Sequence, residues 1–178
     1  MQHRLTSLGF GFDDYKQMFQ LSNDDLNKKI LDCYPGVSAF AAEMFEKHHT
    51  VIALDPLYED GLDNIKAYVE TDQKVLFEQN SDLKVFASVR QNNRETFYED
   101  YAKGLKEKRY VAGHLPLLNF DDETFDLALV NHVLFTYTDE FSLDFHIKAI
   151  QELMRVANEV RIFPLVDKGG HLSPYVGQ

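Results

Sequence analysis

The sequence predicts an α/β fold: a doubly wound, mostly parallel sheet of about five strands with helices on both faces. Three observations predict it. Short apolar runs alternate with helical patterns from residue 28 to residue 166. One of the runs, "TVIALD", is apolar continuously instead of at every second position, as in a strand covered on both faces. The first two runs close on carboxylates, Asp32 and Asp55, the first followed by a Tyr-Pro-Gly-Val-Ser turn.

The elements follow in order. In "FDDYKQMFQLSNDDLNKK" the apolar Tyr15, Met18, Phe19 and Leu21 recur at near-helical spacing, and Ser22 with Asp25 makes a helix N-cap signal. This reads as a helical cap over residues 1–27, ahead of a Rossmann-like core at 28–166 and a tail at 167–178, all within one domain. "KILDC" is the first strand. Ser38 to Lys47 form a helix whose Ala39, Phe40, Ala41 and Ala42 allow close approach to a sheet. "TVIALD" is the second strand, and residues 61–108 are helical with a break near "EQNSD". "KRYVAG" is the third strand, "FDLALVNHVLF" the fourth, "LDFHIKAIQELMRV" an amphipathic helix and "NEVRIFPLV" the fifth strand. Strands separated by helices imply right-handed parallel crossovers.

At 178 residues the chain is long enough to bury a real core, and 44% hydrophobic with 26% charged residues is an ordinary globular balance. The formal charge of −11 argues against nucleic acid and against an anionic membrane surface, both of which attract basic proteins. No apolar stretch reaches the length of a membrane span or a signal peptide, so the expected compartment is the cytoplasm. The single cysteine, Cys33, excludes an internal disulfide and a multi-cysteine metal site. "FDDETFD" lacks the glycine and distal glutamate of a calcium loop and reads as a solvated turn, and His48 with His49, adjacent on a helix end, make a poor metal pair. No serine lies in a Gly-x-Ser-x-Gly elbow, which leaves hydrolase chemistry without support.

In an open parallel sheet, ligands bind beyond the carboxyl ends of the strands. Asp32, the turn after it, Asp55 and "AGH" after the third strand all fall there. Gly36 can take a positive φ or admit a ligand close to the backbone. A carboxylate ending the second strand can accept both hydroxyls of a ribose, so these residues together describe a nucleoside site.

Over residues 28–166 the chain resembles the class I S-adenosylmethionine-dependent methyltransferases. Their acid-x-Gly-x-Gly-x-Gly turn is matched by "LDCYPGVSAF", and their ribose-binding acid by Asp55 in "VIALDPLY". Their "LPF-x-D-x-SFDLV" stretch is matched by "LNFDDETFDLAL", and the Arg-Val closing the next helix by "ELMRVANEVRIF". The resemblance implies S-adenosylmethionine as cofactor. Asp32, Tyr34, Gly36 and Ser38 would line its methionine and sugar, Asp55 would hold the ribose, and Pro56 and Tyr58 would lie beside the adenine. Gly113 and His114 would sit at the adenine edge. Asn131 and His132 would face the methyl group and the acceptor, a small molecule or a protein, with His132 as the general base.

The chain departs from the family pattern at Tyr34 and Ser38, where glycines are usual, and at His114, where an acid is usual. It also stops at "SPYVGQ", where the family adds a two-stranded hairpin; an exposed sheet edge is expected, and with it a homodimer. The alternative function is a non-catalytic scaffold or interaction protein that keeps the fold without the cofactor. A nicotinamide enzyme is a third reading, opposed by the missing Gly-x-Gly-x-x-Gly run.

Overall fold

The structure, a computed structural model, describes residues 8–79 and 87–177, and the side chains of all of these except 74–79. Two short helices open the fold, α1 (Phe12–Met18) and α2 (Asn23–Leu26). The capping signal at Ser22 is realised: its hydroxyl accepts from the Asp25 amide, and the Asp25 carboxylate accepts from the Ser22 amide. Then come β1 (Ile30–Cys33), α3 (Phe40–Glu46), β2 (Val51–Leu54), a 3-10 turn at Pro56–Glu59, α4 (Leu62–Gln79) and α5 (Ala87–Lys106). The chain continues through β3 (Tyr110–Val111), β4 (Phe125–Asn131), α6 (Leu143–Val156) and β5 (Ala157–Phe163).

The five strands form one sheet in the order β3-β2-β1-β4-β5, with every pairing parallel. This is a Rossmann-like, doubly wound arrangement, with its switch of direction between β1 and β4. Alternate side chains divide the core in two. Ile30, Ala53, Leu127 and Leu129 pack with α1, α3, α4 and α5, through Tyr15, Phe40, Met44, Ile65 and Phe97. Leu31, Cys33, Ala128 and Val130 pack on the other side against Ala149, Leu153 and Val156 of α6.

Several boundaries differ from the sequence expectation. The fourth strand, expected over residues 125–135, ends at Asn131, where His132 turns left-handed at φ 48°. The helix expected from Ser38 starts at Phe40, because the Ser38 hydroxyl accepts the Phe40 amide and donates to the Phe10 carbonyl. The third strand, expected over Lys108–Gly113, keeps only Tyr110 and Val111: Lys108 is in a left-handed turn at φ 58°, and the backbone beyond Val111 leaves the ladder. The fifth strand begins at Ala157, directly after the last helical residue, and ends before Pro164, which has no amide to offer a ladder. The helical break expected near "EQNSD" falls partly outside the described residues; α4 runs to Gln79 and α5 starts at Ala87. None of the described helices is long and apolar enough to cross a membrane.

Candidate active site at the strand ends

Asp32, the third residue of β1, and Asp55, directly after β2, are both fully buried. Each strand flanking the switch point ends in left-handed backbone: Tyr34 has φ 59° after β1 and His132 has φ 48° after β4. Non-glycine residues enter this region at a cost, and such strain gathers at functional sites. Gly36, at φ 61°, takes the positive φ anticipated for it.

Asp55 is held from two sides. One carboxylate oxygen accepts the Leu57 amide at 2.9 Å, capping the 3-10 turn, and the other accepts the Gly36 amide at 2.9 Å. The turn after β1 is thereby fastened to the end of β2. Tyr58 completes the clasp by donating its hydroxyl to the Gly36 carbonyl at 2.9 Å. Its ring packs among Phe97, Tyr101 and Tyr110, while Tyr101 donates to the Tyr58 carbonyl. Burial pushes the Asp55 carboxyl up to about 6, against the pull of the two amides.

Asp32 is only half satisfied. One oxygen accepts the Tyr15 hydroxyl at 3.1 Å, and the other, also buried, has no hydrogen-bond partner among the described residues. Burial raises its pKa well above the ordinary carboxylate range; the Tyr15 hydroxyl lowers it, and the charge of Asp55 raises it further. The Tyr15 hydroxyl also accepts from the Asn131 side-chain amide at 3.1 Å, so α1 bridges the ends of β1 and β4. Stacking of the Tyr15 ring on Phe40 at 4.1 Å fixes that position.

His132 continues the polar chain, its Nδ1 bonded to the Asn131 side-chain oxygen. Because that oxygen only accepts, Nδ1 carries the proton and Nε2 the lone pair. The imidazole stacks on Phe10 at 5.1 Å, and the Arg90 guanidinium lies over the Phe10 ring at 4.4 Å. Burial first, and the Arg90 charge second, push the His132 pKa down to about 4. Neutral at physiological pH, it is a weak proton acceptor, better suited to orienting a partner than to taking its proton.

The remaining residues are less central. Tyr34 accepts the Leu115 amide at 2.9 Å through its hydroxyl and so points toward the loop after β3. Ser38 is spent on the helix start and the Phe10 carbonyl. Pro56 opens the 3-10 turn. Gly113 lies so close to Leu54 that an added Cβ would meet its side chain at 3.0 Å, whereas His114 is exposed, with Nδ1 donating to the Leu115 carbonyl. Thus Asp32, Gly36, Asp55, Tyr58, Asn131 and His132 converge, and His114 stands apart. Sequence reading missed Tyr15, Phe10 and Arg90. Tyr15 looked like one more apolar position of an amphipathic helix, and nothing local distinguishes a tyrosine that packs from one that bridges two strand ends.

No protein-family model matches the chain, and no solved structure gives a significant match. It is similar to the uncharacterised protein MJ0045 of Methanocaldococcus jannaschii, 33% identical over 182 residues that cover 95% of this chain and 81% of that protein. At that identity and coverage the chain belongs to the same family as the archaeal protein MJ0045.

Proposed function

We propose that this chain is an S-adenosylmethionine-dependent methyltransferase of the cytoplasm, acting on a small-molecule or protein acceptor. The observation that carries the reading is the second oxygen of Asp32: buried, without a donor among the described residues, and placed at the topological switch point. A buried acceptor left open in this way favours a ligand that brings a donor, such as an ammonium group. The cofactor would supply an electrophilic methyl group on a positively charged sulfur. Asp32 would accept from its amino group, Asn131 would hold Tyr15 and His132 in register, and His132 would orient the acceptor through Nε2.

At Asp55 the fit is poorer. Each of its oxygens already holds an amide, so ribose hydroxyls would have to share them or displace the Gly36 turn. That observation favours the second reading, a methyltransferase-like scaffold that binds no cofactor.

Calorimetric titration with S-adenosylmethionine separates the two. A methyltransferase binds it saturably, and Asp55→Ala weakens binding by about 1–3 kcal/mol, the usual cost of losing hydrogen bonds to a charged group. His132→Ala leaves cofactor affinity nearly intact and lowers turnover. Absence of heat at millimolar ligand from a folded sample would decide for the scaffold.

A further inference from the structure

β5 is an edge strand of the sheet, and its open side carries a pattern that is complementary to itself. In a parallel ladder, residues alternate between turning both backbone groups toward the neighbour and turning both away. The Phe163 carbonyl accepts the His132 amide at 2.7 Å, so Phe163, Arg161 and Glu159 face β4. Asn158, Val160 and Ile162 therefore direct their amides and carbonyls outward. Natural edges are guarded by proline, lysine or bulges. β5 contains neither proline nor lysine, and its register with β4 runs without a bulge.

The side chains of Asn158, Val160 and Ile162 line a groove of about 410 Å³ with Ile150 and Met154 of α6. Its lining is mixed: Glu123 and Asn158 are polar, while Met154 is apolar and 65% exposed. On the opposite face of the strand, Glu159 and Arg161 pair with each other and with Lys28 and Asp25, at 2.7–3.0 Å. These four charges sum to zero on a chain whose formal charge is −11.

We propose that β5 pairs antiparallel with β5 of a second copy, about a two-fold axis at Val160, joining two sheets into one. That register places Val160 on its own counterpart, Asn158 on Ile162 in both directions, and Glu159 on Arg161 in both directions. A two-fold interface requires such self-complementarity, and opposite charges directly across an antiparallel pair stabilise it. The outward amides and carbonyls of Asn158, Val160 and Ile162 acquire partners, and the two grooves become continuous across the axis.

The test is sedimentation of the full chain together with site-specific cross-linking. The wild type is expected to sediment as a dimer at micromolar concentration. Val160→Lys, which opposes two ammonium groups at the axis, is expected to sediment as a monomer with its circular dichroism unchanged. Val160→Cys is expected to cross-link to itself with a short bis-maleimide, as is a mixture of Asn158→Cys and Ile162→Cys; the native Cys33 is buried and stays silent. A wild type that remains monomeric at every concentration overturns the proposal. So does a dimer in which V160C fails to cross-link, whatever the behaviour of the lysine variant.

Discussion

Asp55 and His132 sit at the ends of the two strands that flank β1 and carry protonation equilibria displaced in opposite directions. The folded chain holds the Asp55 proton up to about pH 6, where the unfolded chain would release it near 3.8. Its contribution to stability is therefore fully present at low pH and is lost as the pH rises through about 6. Asp32, also raised, acts in the same sense. His132, held near 4 instead of 6.5, contributes fully above its unfolded value and loses that contribution as the pH falls through about 4. The two effects partly cancel in the wild type and separate in variants. Asp55→Asn should compare least favourably with the wild type at about pH 4.5 and best at about pH 7. His132→Phe, which keeps an aromatic ring against Phe10, should improve relative to the wild type over the same fall in pH. Urea denaturation of the three proteins at both pH values measures this; parallel curves would mean that neither group is perturbed. Of these residues Asp32 and Asp55 were legible in the sequence, because a carboxylate ending an apolar run is a local signal. Tyr15 was not, since its contacts to Asp32 and Asn131 span 17 and 116 residues.

Elements with both a period and a cap in their own sequence were read nearly residue for residue. α6 is the clearest, with Ser142 accepting the Phe145 amide at its start and an apolar face buried through Ala149, Leu153 and Val156. β1 and β2 were equally plain as short apolar runs, whereas β4 was read four residues too long, because the apolar residues after His132 belong to the next turn. β3 was overestimated because "RYVAG" has a strand's composition, while the turn at Lys108 and the close packing of Gly113 on Leu54 come from the tertiary fold. The long helix α5 shows the same division. Its helical character was legible, but its packing on β3 was not. Gly104 is buried where an added Cβ would meet the Tyr110 ring at 2.3 Å, and Tyr110 is held by its hydroxyl bond to Asp100. Gly104→Ala should therefore destabilise the protein by about 1–3 kcal/mol, the range for overpacking a well-filled core, although alanine is the better helix former. A stability equal to or above the wild type in urea denaturation would show that helix α5 can shift to make room.

Across the whole molecule, the fold class was open to sequence reading because alternation of element types, not any single residue, determines it. The state of the strand-end crevice was not. Whether Asp55 faces a ligand or its own backbone depends on how the Tyr34–Ser38 turn folds over β2, and composition does not encode that. The structure closes the turn with three interlocking bonds, from Gly36 and Leu57 to Asp55 and from Tyr58 to Gly36. On the proposed function, a cofactor ribose at Asp55 would disturb those groups. Amide resonances recorded during addition of S-adenosylmethionine to the isotopically labelled protein report on them individually. The proposal predicts saturable shifts at Gly36, Leu57 and Ser38, with the amides of Asn158 and Val160 unmoved. A spectrum that stays unchanged at millimolar S-adenosylmethionine would contradict it.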